Sequence, residues 1–127
     1  MNVSVRKQID AGGSLTAGFV VGGNTARTVL VRAIGPGLAA FGVNGTMADP
    51  QLALFSGATK IAENDNWAGD PQLTNAGNAV GAFALANAAG KDAMLLITLA
   101  PGSYTVQVGG VAGTAGGSAL VEIYEVP

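Results

Sequence analysis

The chain has 127 residues, of which 49% are hydrophobic and only 11% charged, with 20 Gly, no Cys and no His. Its length allows one domain, residues 1–127, with a substantial core and no need of disulfides or metals. Soluble domains usually carry about a quarter charged residues, so this surface is unusually uncharged. The formal net charge is −2, from six basic and eight acidic residues, and the basic residues form no run. That excludes an electrostatic nucleic-acid footprint, and the abundance of apolar residues excludes disorder. Without His or Cys there is no Ser-His-Asp triad, no imidazole zinc ligand and no thiolate, so the composition argues against an enzyme, a metal site or a cofactor.

Short β-rich runs alternate with Gly, Pro, Asn and Asp, which predicts an all-β sandwich or barrel. The first run, Val3 to Ile9, sets Val3 and Val5 against Ser4 and Arg6 and ends at Asp10-Ala11-Gly12-Gly13. The second, Leu15 to Val21, carries Phe19 and Val21 on one face and closes at Gly22-Gly23-Asn24. The third, Arg27 to Ile34, is nearly all apolar and reads as a central strand covered on both sides, stopped by Gly35-Pro36-Gly37. Leu52, Leu54 and Phe55 form a strand, and Ser56-Gly57-Ala58 turns it into Lys60-Ile61-Ala62-Glu63. The stretch Asn64 to Pro71 is a polar loop. From Leu73 to Ala89, Val80, Phe83 and Leu85 fit either a short helix or a strand. Met94 to Leu99, the turn Ala100 to Ser103, and Tyr104, Val106 and Val108 read as strand, turn, strand. Gly109 to Gly117 is a flexible Gly-rich loop before the closing strand, Leu120 to Val126. About eight strands in a chain of this size predict a two-sheet, jelly-roll-like β-sandwich.

No apolar run approaches the roughly 18 residues of a membrane span, and the first residues lack the apolar core of a signal peptide. The protein therefore either stays inside the cell or is a mature or excised piece of an exported one. Asn2-Val3-Ser4 and Asn44-Gly45-Thr46 match the short N-glycosylation pattern.

Few residues carry chemistry. Arg32 lies in the most apolar strand and needs a partner if buried, for which Glu122 on the closing strand is suited. Asn64, Asp65, Asn66 and Asp70 could offer oxygens to Ca²⁺, but Asn-Asp-Asn is equally what a turn uses, and the spacing is not that of an EF-hand. Trp67, the only Trp, stacks on a sugar ring if exposed and plugs the sandwich if buried. The N-terminal run, through Val3, Val5 and Ile9, either pairs within its own sandwich or completes the sheet of a neighbouring copy. Sparse charge leaves sheet edges poorly guarded against such pairing.

Three segments carry a resemblance. Asp49-Pro50-Gln51-Leu52-Ala53-Leu54-Phe55, Ile61-Ala62-Glu63-Asn64-Asp65-Asn66 and Leu99-Ala100-Pro101-Gly102-Ser103-Tyr104-Thr105-Val106 follow one another as in the bacterial pre-peptidase C-terminal type of β-sandwich. There a D-x-x-L-x-L-F/Y strand, an A-x-N-D turn and a P-G-x-Y-T/Y-V hairpin recur in this order. Nearly the whole chain, Asn2 to Val126, also resembles a Gly/Ala-rich domain of large secreted and surface proteins of environmental bacteria. Ala17 to Gly23, Val29 to Pro36, Asn64 to Trp67 and Ala119 to Glu125 carry that similarity. The resemblance implies an extracellular or cell-surface domain with an accessory role and no catalytic residues. The chain stands without an attached enzyme or repeat array, which favours a self-sufficient task.

Two functions follow as expectations. The first is an extracellular structural protein whose partner is itself, assembling through Val3, Val5 and Ile9 and apolar contacts into a fibre or surface layer. The second is an accessory module tethering a secreted protein to polysaccharide or the cell surface, with Trp67, Asn64, Asp65 and Asn66 as the contact.

Overall fold

The computed structural model describes residues 2–85 and 91–127. Eight strands form two antiparallel sheets. One has the order β1(Asn2–Ile9), β8(Gly117–Val126), β3(Arg27–Ile34), β6(Ala93–Leu99). The other runs β2(Ser14–Val21), β7(Gly102–Gly110), β4(Pro50–Ser56), β5(Thr59–Asn64). Each connection crosses from one sheet to the other except the β4–β5 hairpin, which gives the jelly-roll order expected from the sequence. Only two residues, Gly57 and Ala58, close that hairpin between paired Ser56 and Thr59. Gly57 has φ +60°, as the first central residue of a type II′ turn requires.

Period-two alternation sends one set of side chains inward. Val29, Val31, Val121 and Ile123 from the first sheet meet Phe19, Leu52, Leu54, Val106 and Val108 from the second, all buried. Tyr104 stacks on Phe19 at 5.6 Å and donates its hydroxyl to the Ala100 carbonyl at 2.6 Å, pinning the β6–β7 turn.

Of the ambiguous stretch, the part up to Val80 is helical, in α1(Pro71–Val80); Phe83 and Leu85 lie beyond it in neither helix nor strand, and residues 86–89 lie outside the described residues. Pro71 opens the helix, the Asp70 carboxylate caps it by accepting from the Gln72 amide at 2.9 Å, and Gly81 ends it at φ +74°. Leu73 and Ala76 pack with Trp67 over Leu30, Met94 and Tyr124, on the outer face of the β1–β8–β3–β6 sheet. This second core explains why β3 reads as apolar on both faces.

The Gly-rich loop is shorter than expected, residues 111–116 between β7 and β8. Gly109 and Gly110 belong to β7, paired with Gln51 and Pro50, and Gly117 opens β8. At Gly117 a Cβ would stand 2.5 Å from the Met47 amide nitrogen, so glycine permits a close backbone approach there. The contact is fixed by hydrogen bonds from Met47 N to Ser118 O and from Ser118 N to Gly45 O.

Candidate functional site

Two places gather polar side chains. The first lies beneath α1. Arg32 on β3 and Glu122 on β8 are cross-strand neighbours, 2% and 5% exposed, and pair as expected, Nε to Oε1 at 3.0 Å. Arg32 Nη1 donates to the Phe83 carbonyl at 2.7 Å, and the guanidinium carbon lies 4.5 Å from the centre of the Phe83 ring. Tyr124 donates its hydroxyl to Glu122 Oε2 at 2.5 Å. Burial lowers the Arg32 pKa against the opposing pull of Glu122, Tyr124 and Asp92. Burial, then the hydrogen bond to Glu122, pushes the Tyr124 phenol up to about 12. The adjoining cavity of about 40 Å³ is large enough for only a few waters. This cluster holds the helix to the sheet.

Sequence-predicted contact residues lie around this structural core. Trp67 is 6% exposed and belongs to the second core, so its ring offers no open face to a sugar. Asn64 accepts from the Met94 amide at 3.1 Å and donates to the Asn66 carbonyl at 3.1 Å, tying β5 to β6. With Asp70 capping α1, two of the four oxygen donors considered for Ca²⁺ are engaged by backbone amides. Among the described residues no three acidic side chains converge on a possible metal position. Asp92, which sequence reasoning missed, is 2% exposed and accepts from the Gly35 and Gly37 amides at 2.8 and 3.1 Å. It fixes the Gly-Pro-Gly turn that ends β3.

Val3, Val5 and Ile9 do not form one exposed stripe. β1 is paired with β8 from Asn2 to Ile9. Ile9 is 2% exposed within the main core, Val3 is partly buried against it, and Val5 alone is exposed. Lys7 lies opposite buried Ala119, on the inward side of this edge strand. An inward-pointing charge is a known guard against edge pairing.

The second place is the outer face of the β2–β7–β4–β5 sheet, which no helix covers among the described residues. Strand registers lay its outward side chains in rows across the sheet: Ser14–Gly109–Gln51, then Thr16–Gln107–Ala53–Glu63, then Gly18–Thr105–Phe55–Lys60. Gly109 and Ala53 leave low ground between the taller Gln51, Gln107 and Phe55. Two hollows result, of about 340 and 230 Å³, and Phe55 and Gln107 line both. The β4–β5 register slips between the Leu54–Ala62 and Phe55–Lys60 pairs, leaving Ile61 of β5 without a partner across the ladder. Gln107 donates to Ser14 Oγ at 3.3 Å, and Lys60 and Glu63 neutralise each other at 2.9 Å, both half exposed. The signal in the sequence was the polar phase of β4 and β7. Gln51, Ala53 and Phe55 alternate with Leu52 and Leu54, and Thr105 and Gln107 with Val106 and Val108, with small or hydrogen-bonding groups where Lys and Glu usually stand.

The architecture defines an eight-stranded jelly-roll sandwich with one sheet capped and one open. It is that of the pre-peptidase C-terminal domain type: the chain is similar to the crystal structure of that domain from a collagenase of Bacillus anthracis, with TM-score 0.59 and 12% identity over 98% of this chain and 90% of that one. No family model and no curated protein matches the sequence.

Proposed function

We propose that the chain is an accessory binding module of an exported protein, and that the open face of the β2–β7–β4–β5 sheet holds that protein against a polysaccharide or cell surface. The observation that carries this reading is the pair of hollows sharing Phe55 and Gln107 on the sheet face left open. They are shallow and open, with a few polar groups and an aromatic ring, a form suited to a polymer laid along the sheet rather than to an enclosed small molecule. The same fold in a collagenase's pre-peptidase C-terminal domain supports an accessory role outside the cell. Self-association has less behind it, because β1 is hydrogen-bonded along its own sandwich and Ile9 closes the core.

The test is retention on insoluble polysaccharides and bacterial cell walls, combined with sedimentation at high protein concentration. A monomer that is retained, and released by Phe55→Ala, is the expected result. Regular high-mass assemblies with no retention on any surface would refute the module.

A further inference from the structure

We infer that the ligand of this face is a neutral polysaccharide, seated with successive sugar units on either side of Phe55; the inference rests on the binding-module reading above. The charge of the face is the first ground. Its three rows contain one acidic and one basic group, Glu63 and Lys60, and these pair with each other at 2.9 Å. Sulfated or uronic-acid polymers add anionic groups that only accept and are held by Arg and Lys forks or clusters, which this face lacks.

The donor and acceptor inventory is the second ground. Gln51 and Gln107 each offer an amide donor and a carbonyl acceptor, and Ser14, Thr16 and Thr105 each offer a hydroxyl that does both. Sugar hydroxyls are likewise both donors and acceptors, so each lining group can serve a hydroxyl in either sense. An extended polypeptide would instead seek unpaired backbone at a sheet edge, but β7 and β4 lie in the sheet interior with both sides paired.

Geometry is the third. Phe55 stands at the boundary of the two hollows with Gln107 beside it in the neighbouring row, so an aromatic wall and an amide are shared by both positions. Glycines 12, 13, 109 and 110 line the far end of the larger hollow and Gly57 the smaller one, leaving both ends open. A polymer, rather than a single sugar, can run through.

Affinity electrophoresis of the intact chain tests this, in gels cast with neutral β-glucan, galactomannan or xylan, with anionic alginate or polygalacturonate, or with gelatin. The expected result is retardation in at least one neutral gel that persists when salt rises from about 50 to about 500 mM, since screening does not act on uncharged contacts. Phe55→Ala should weaken it by about tenfold, the scale of one lost aromatic contact. Gln107→Ala, whose side chain makes one exposed hydrogen bond, gives a second variant that leaves the core untouched. Thermal melts of both variants establish that they fold. Retardation confined to anionic gels and lost at high salt overturns the neutral-glycan inference while the module reading survives; retardation confined to gelatin overturns both. Retardation in a neutral gel unchanged by both variants overturns the site. Migration unaffected by every polymer overturns both readings.

Discussion

Replacing Glu122 by Ala removes the carboxylate that faces Arg32 at 3.0 Å and leaves the guanidinium 2% exposed. Breaking a buried pair from one side costs about 3–5 kcal/mol, because the remaining charge stays desolvated. Two local effects adjust that figure. The Phe83 ring and carbonyl still face the cation, worth about 1–2 kcal/mol. Tyr124 loses its acceptor, a cost of about 1 kcal/mol. These nearly cancel, so the expected loss is about 4 kcal/mol, most of what a marginally stable domain has. Urea unfolding read by Trp67 fluorescence measures it, since this single Trp packs in the cluster under α1. The double replacement Arg32→Met with Glu122→Leu should return to within about 2 kcal/mol of the parent, as apolar substitutes for buried pairs do. A single variant losing less than about 1 kcal/mol, or a double variant no better than the single, would refute the claim that Glu122 compensates Arg32.

Three more outcomes follow from the same geometry. Tyr124 keeps its proton up to about pH 12 in the fold, against 10 for a free phenol. The fold therefore gains stability that is complete below pH 10 and lost as pH rises through 12. The size is about 2 kcal/mol, and an alkaline titration of urea stability should show that slope in the parent and a flatter one in Tyr124→Phe. Gly117→Ala forces a Cβ to 2.5 Å from the Met47 nitrogen, so the β8 start and its two hydrogen bonds to the 45–47 segment must shift. Calorimetry should read a loss of about 2 kcal/mol, the usual cost of overpacking. Asp92→Ala orphans the Gly35 and Gly37 amides, and a denaturation midpoint reporting about 3 kcal/mol lost is expected; an unchanged midpoint would show that the turn holds without it.

The strands were legible because alternation and Gly/Pro punctuation survive in each run, and the Arg32–Glu122 pair because a charge in an apolar strand demands a partner. Other features depended on long-range contacts. Val80 suits a helix or a strand equally; what decides is that Asp70 and Pro71 start a helix and Gly81 ends it, and that Leu30, Met94 and Tyr124 need a cover. Asp92 sits in no motif, and its partners are more than fifty residues upstream. The glycines near position 117 signalled flexibility locally, whereas Gly116 is constrained by the backbone of residues 9–11 and Gly117 by that of residues 46 and 47. Trp67 beside a polar turn could face either way, and only the arrival of α1 encloses it.

The contrast between the two sheets is what favours the open one as the proposed binding face. Outward positions of β3, β8 and β6 hold Leu30, Arg32, Glu122, Tyr124 and Met94, large groups that cannot be left in water without loss or, for the charges, need each other. They oblige the chain to build a helix over them. Outward positions of β2, β7 and β4 hold Ser14, Thr16, Gly18, Thr105, Gln107, Gly109, Gln51 and Ala53, groups that hydrogen-bond to water at no penalty and require no cover. Phe55 and, at the end of β2, the exposed Val20 are the apolar exceptions among them. A half-buried aromatic ring beside the register slip, between two hollows on an otherwise small and polar face, contributes little to a core already complete without it. In the proposed binding mode its open part is what the apolar face of a sugar ring comes to lie against.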